Sequence, residues 1–278
     1  MMAMSETVFQ QAAVRGNHRS LRSALNAHRA TFMLLLLVLL SRVTASAQIG
    51  EHRSEFAVGV TGGYALSTLG FVPEVPQLQH PGYIGGLVFR YTSEKYFSSI
   101  CAIVGEVNYA KVGWKEDILT PDDEPVINSI TGVAETYQRD QFYVQVPLMA
   151  RLGWGRERRG LQVFFQAGPQ FGYFMSESTT SSFDFHSMDI SSRTSSIVAQ
   201  DTMAVKNRVD YGICAGLGLE FSHPKVGHFL LEGRYYYGLG NIYPATKRDY
   251  FARSNFAQIV VKLSYLFDLS KTNNPKIK

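Results

Sequence analysis

Cysteine is nearly absent. Cys101 and Cys214 are the only two in 278 residues, too few for a disulfide framework, and period-two parity puts them on opposite faces of separate strands, which predicts two free, buried thiols. Charge is scarce as well: Asp, Glu, Lys and Arg make up 18% of the chain, against roughly a quarter in ordinary soluble domains. After residue 47 no apolar run is long enough for a transmembrane helix. Nor is there a basic stripe with interleaved aromatics. The net charge of +4 is inflated by Arg15, Arg19, Arg22, Arg29 and Arg42, opposed in the first 47 residues only by Glu6. The remainder is near neutrality, which speaks against nucleic acid as a partner.

Motifs for chemistry are thin. The histidines after Gln48 are His52, His80, His186, His223 and His228. None is paired at metal-ligand spacing, so neither a metal nor a cofactor is expected. Asp117, Asp122, Asp123 and Glu124 do not have the spacing of a calcium loop. No G-x-S-x-G motif is present. A lipid-modifying or hydrolytic site would have to be assembled from His80, His186 and loop serines, so the chain is expected not to be an enzyme. The glycine run with Gly212, Gly216 and Gly218 repeats at strand spacing, where small residues relieve crowding; a phosphate loop would need a following helix.

What is plentiful suits strands and tight turns: 24 Gly, 15 Tyr and 18 Phe. The N-terminus has the three parts of an export signal. A basic front precedes the apolar run "TFMLLLLVLL" (31 to 40) and small residues Ala45 and Ala47. The expected layout is a cleaved signal peptide over 1–47, a short lead over 48–55, one β-domain over 56–269 and a polar tail over 270–278.

Eight segments alternate with period two: 56–67, 82–91, 99–112, 141–153, 161–175, 207–221, 228–241 and 255–269. Their connections alternate long and short, the asymmetry of outer-membrane barrels, in which the turns are periplasmic and the long loops external. The third long loop is Ser/Thr-rich, and its composition predicts a mobile segment. One face of every strand is apolar, as in Val209, Tyr211, Ile213, Ala215, Leu217, Leu219 and Phe221. Tyr83, Tyr91, Tyr109, Tyr173 and Tyr265 fall near strand ends, where interfacial girdles form.

The opposite face carries Arg90, Glu106, Arg151, Asp210, Glu220, Glu232, Arg234 and Lys262. Alternation alone does not say which face points inward. With the export signal and the loop asymmetry, the charged face is assigned to the lumen of an all-β, eight-stranded, antiparallel, up-and-down transmembrane β-barrel. Eight strands leave room inside for side chains only, so the charges should pair and plug the barrel. Glu232 and Arg234 are expected to pair with neighbours such as Glu220 and Lys262. In the short turn "WGRERRG", Arg156, Arg158 and Arg159 are candidate contacts for a periplasmic partner.

Several pieces together resemble the PorT-like outer-membrane β-barrel proteins of the Bacteroidetes group: "GVTGGYALS", "YVQVPLMARLG", "FFQAGPQFGYFM", "VDYGICAGLGLEF", "RYYYGLGNI" and the closing "QIVVKLSYLF". The resemblance implies a small barrel in the outer membrane of a Gram-negative bacterium. From the plugged body and long loops a structural or accessory envelope role is expected, with a part in type IX secretion, the role of the member for which the family is named, as the alternative. Expected partners are outer-membrane lipid, the barrel-assembly machinery during insertion, and proteins of a secretion or envelope complex; a monomer is expected. In one departure, Phe267 is followed by a polar extension, whereas many such barrels end on an aromatic residue.

Overall fold

The computed structural model describes residues 51–184 and 190–272. The signal peptide expected over 1–47, His186 and the end of the polar tail lie outside the described residues. Strand β1 spans Glu51–Val72, β2 Gln77–Leu78, β3 His80–Tyr96, β4 Ser99–Glu116, β5 Tyr137–Gly155 and β6 Gly160–Ser181. Strands β7 (Val209–His223), β8 (Gly227–Gly238) and β9 (Arg253–Ser270) complete the sheet. All neighbouring strands are antiparallel, and β4 pairs with β5 as well as β3, so the eight long strands form a closed ring. Strand β2 is a two-residue ladder on the end of β4. Closure satisfies the backbone of every long strand, which a sheet in lipid requires.

Which face is outside is decided by adjacent residues. Leu263 is 65% exposed and Lys262 beside it 2%. The same alternation runs round the ring, with Val60, Leu87, Ile103, Leu148, Val163, Leu217 and Leu231 outward. Tyr64, Tyr83, Tyr109, Tyr173 and Tyr211 mark this apolar band toward the long connections. Tyr91, Trp154, Phe221, Phe229 and Tyr265 mark it toward the short turns, where the Phe229 and Tyr265 rings lie 5.1 Å apart. Cys101 is on the outer face and Cys214 is buried inside; both are free.

Most strands outrun the segments read from the alternation, although β7 begins at Val209 instead of 207 and β8 ends at Gly238 instead of 241. Strand β1 continues to Val72, β4 to Glu116 and β6 to Ser181, so the connections are correspondingly shorter. Beyond the hydrocarbon the outward positions become polar, and the hydrophobic signal fades while the hydrogen-bonded ladder continues. At the short β7–β8 turn, Gly227 has φ +113°, and a Cβ there would meet the Leu266 carbonyl oxygen at 2.4 Å. Only glycine fits that backbone at so close an approach.

Candidate functional site

The lumen is the most organised part of the molecule, and its ionic groups form two clusters. In the first, Glu106 of β4 receives Arg234 of β8 in a two-pronged contact, with Nη2 to Oε1 at 2.7 Å and Nη1 to Oε2 at 3.0 Å. Arg234 also donates Nε to Glu232 Oε1 at 2.8 Å. Lys262 of β9 bonds Glu106 and lies 3.2 Å from Glu232. Asn108 donates to Glu106 at 2.8 Å and Gln166 to Glu232 at 2.7 Å. Two acids and two bases therefore neutralise one another with all four side chains buried. The forked guanidinium suits this geometry, and the extra amide donors occupy further carboxylate lone pairs.

Local sequence makes the room. Gly216 and Gly218 of β7 stand opposite Arg234 and Glu232 in register. A Cβ on Gly216 would lie 2.7 Å from Glu232 Oε1, and one on Gly218 would strike the Phe164 ring at 2.5 Å.

The second cluster, toward the short turns, centres on Glu220. Arg90 Nη1 donates to both of its oxygens at 2.8 Å, and Arg151 bonds it as well. The Arg151 guanidinium stacks 3.7 Å above the Phe164 ring, a cation–π contact favoured by burial. His228 has Nδ1 2.6 Å from Glu220 and Nε2 3.0 Å from Asp268, and Ser222 Oγ is 2.9 Å from Nδ1.

The charges expected to form one lumen network thus divide. Glu232 and Arg234 meet Lys262 and Glu106, whereas Glu220 belongs to the other cluster. Asp210 is in neither: its Oδ2 accepts from Tyr236 Oη at 2.6 Å, near the outer end of the barrel. Position along the strands separates residues that the face pattern alone groups together. Of the turn arginines, Arg156 and Arg159 are exposed, while Arg158 bonds Glu55 at 3.0 Å and the Thr272 carbonyl. Arg53, which sequence reasoning passed over, is buried with Glu51 and Glu157 at 2.7 and 3.3 Å.

At the outer end an aromatic cap covers the lumen. Phe71 packs on Phe251, Trp114 and Tyr243 with centroids 4.6, 5.4 and 6.0 Å apart, and Trp114 meets Tyr137 at 5.1 Å. Arg139 ties the cap to the loops, donating to Glu177 at 2.8 Å, to the Gln200 carbonyl at 3.2 Å and to Tyr243 Oη at 3.1 Å. Arg193 pairs with Glu135 at 2.8 Å, both buried. The described part of the third long loop is therefore packed, contrary to the mobility its composition predicts. Its serines and threonines mask Ile197, Ala199, Met203 and Val205, which pack on the core.

Within the cap, Gln200 Nε2 donates to Glu116 at 3.1 Å. Burial pushes the Glu116 carboxyl up to about 8, and the neighbouring Asp201 charge adds to the effect. Burial likewise pushes Asp201 up to about 6, against the pull of Arg193. Such a pair holds a proton near neutrality. His80, the one described histidine named for an enzyme reading, is buried with Nε2 2.6 Å from Asp140. Among the described residues no three His, Cys, Asp or Glu side chains come together as metal ligands.

None of the curated proteins matches the chain. Solved structures similar to it include Ail, the attachment invasion locus protein of Yersinia pestis, at 14% identity and TM-score 0.34, covering 77% of this chain and 99% of Ail. OprG from Pseudomonas aeruginosa is similar at 11% identity and TM-score 0.35, covering 78% and 98%. The outer membrane enzyme PagL is similar at 10% identity and TM-score 0.33, covering 74% and 98%. Likenesses this distant carry no inference about ligand or activity. Residues 46–243 match the family model of the outer membrane protein β-barrel domain, and the chain belongs to that family.

Proposed function

We propose that this outer-membrane protein is a non-enzymatic, monomeric barrel with a structural or accessory role in the envelope, its plugged body holding a packed loop platform at the cell surface. The observation that carries the reading is the Glu106–Arg234–Glu232–Lys262 cluster, which fills the lumen with mutually satisfied charge. A solute pathway needs water where these side chains pack, and the ring offers no free sheet edge for a second copy to extend. Planar-bilayer recording tests the plug: the wild type should give no steady conductance, and stable single-channel steps would overturn the reading.

The finer, PorT-like reading adds a role in type IX secretion. It is favoured by the quoted sequence resemblance and by Arg156 and Arg159, exposed on the β5–β6 turn. A photo-crosslinker at position 156 or 159 should capture a secretion component in cells; capture of the barrel-assembly machinery alone would remove that role. The hydrolytic reading, drawn from His80, His186 and loop serines, meets a triad-like spacing instead at Ser222, His228 and Asp268, at 2.9 and 3.0 Å. Both ring nitrogens of His228 face carboxylates, and Ser222 Oγ donates to Glu220 at 3.1 Å, so the ring is placed as an ion-pair partner more than as a base. Labelling of Ser222 by a serine-reactive fluorophosphonate would revive the enzyme.

A further inference from the structure

Some cations at the outer end are paired with acids and others, including Lys115 and Arg253, form no ion pair among the described residues. Lys111 is paired with Asp140, Arg139 with Glu177 and Arg193 with Glu135, each at 2.8 Å. Lys206 and Arg208, just before β7, and Lys247 and Arg248, between β8 and β9, are exposed and form no ion pair among the described residues. The acid in that connection, Asp249, accepts from Thr246 N at 2.7 Å and Thr246 Oγ1 at 2.5 Å. Lys206 acts on it only through space.

Lys206 and Arg208 stand on one wall of a groove of about 700 Å³, with Thr246 on the other wall and Val209, Tyr211 and Leu239 as an apolar floor. The floor is continuous with the lipid-facing surface, since all three of its residues are outward and exposed. Backbone bonds hold the walls. Leu239 N donates to the Tyr211 carbonyl at 2.8 Å, and the Lys206 and Asn207 amides donate to the Ile242 carbonyl at 3.1 and 3.2 Å. Gly240 leaves space for the Tyr211 ring, from which a Cβ would be 3.2 Å away. The groove is thus formed before any ligand arrives.

Tyr211 lies in the outer aromatic girdle, and Arg208 is three residues further out, roughly 10 Å along the strand, at the height of lipid headgroups. We infer that this groove binds a phosphorylated, acylated glycolipid of the outer leaflet, with phosphate between Lys206 and Arg208 and an acyl chain along Val209, Tyr211 and Leu239. A free anion would make no use of the apolar floor, and an uncharged lipid would make no use of the unpaired cations. The inference needs only the outward placement of the long loops, not the plugged lumen.

The test is a titration of the purified barrel, held in phosphatidylcholine nanodiscs, with lipopolysaccharide, with dephosphorylated lipopolysaccharide and with inorganic phosphate. Wild type should bind the phosphorylated glycolipid, more weakly as salt rises, and Lys206→Ala with Arg208→Ala should weaken binding roughly thirtyfold. Lys225→Ala, at an exposed turn on the opposite end, should leave it unchanged. Heat-modifiable gel mobility reports that each variant is folded; if the double variant is not, Lys206→Gln and the salt dependence of the wild type decide. Undiminished binding by the charge variants, or equal binding of the dephosphorylated glycolipid, would overturn the phosphate contact. Inorganic phosphate binding as tightly as the glycolipid would make this an anion site and overturn the lipid assignment.

Discussion

Replacing Arg234 by methionine keeps the stem and removes the guanidinium from the first lumen cluster. Four hydrogen bonds are lost, two to Glu106 and two to Glu232. Lys262 then remains as one ammonium between two buried carboxylates. Removing one partner of a buried pair costs about 3–5 kcal/mol, because the charge left behind is uncompensated. Lys262 and Asn108 still reach Glu106, which places the expected loss near the lower end, ~3 kcal/mol. Adding Glu106→Gln restores neutrality, with Lys262 facing Glu232 alone, so the double variant should recover about half of that loss. The assay is urea unfolding of the barrel in lipid vesicles, read by the fluorescence of Trp114 in the cap and Trp154 near the turns. A single variant within about 0.5 kcal/mol of wild type, or a double variant no better than the single, would refute paired charge as the source of lumen stability.

Three further outcomes are expected. Glu116 and Asp201 titrate higher folded than unfolded, so their contribution to loop docking is complete below about pH 4 and is lost as pH rises through about 6 and about 8. Amide-exchange protection in residues 197–203, corrected for the intrinsic rise of exchange with pH, should therefore fall from pH 5 to 9, and Glu116→Gln should flatten that fall. Arg139→Ala removes the tie between β5, Glu177, Gln200 and Tyr243. It should weaken cap docking by about 2–4 kcal/mol and expose residues 190–208 to limited proteolysis while the barrel stays heat-modifiable. Gly227→Ala forces a side chain into φ +113° against the Leu266 carbonyl, and a loss of about 1–3 kcal/mol should appear in the same urea titration.

The ring itself was legible because a membrane barrel writes its inside and outside into alternate residues. Pairs such as Leu263 and Lys262 mark the two faces, and the export signal with the alternating connection lengths decides which face is outward. Pairing between charges was less legible. Face assignment says that Glu220 and Glu232 both look inward, but they lie twelve residues apart on two strands of one hairpin, at different heights in the lumen. The β8–β9 register carries Glu232 to Lys262, and Arg234 reaches Glu106 across the lumen. The cap was hidden for another reason. Its members, Phe71, Trp114, Tyr137, Tyr243 and Phe251, come from the ends of strands and from loops, where no periodicity flags an aromatic as interior.

Charge in the lumen also does something that a packed hydrocarbon filling would not. Barrel strands have a side-chain period of two, so a slip of one residue turns every inward group outward. For β8 such a slip would carry Glu232 and Arg234 into lipid, where an arginine at midplane depth costs about 2–4 kcal/mol, and would leave Glu106 and Lys262 with each other but without their bonds to β8. The two penalties fall on the same error and reinforce each other. If the inward face were leucine and valine, the slipped ring would bury and expose similar chemistry and differ little in energy. Glu106, Glu232, Arg234 and Lys262 join β4, β8 and β9, strands as much as 156 residues apart in the chain. The same four side chains that close the lumen therefore select one register for the closing strands.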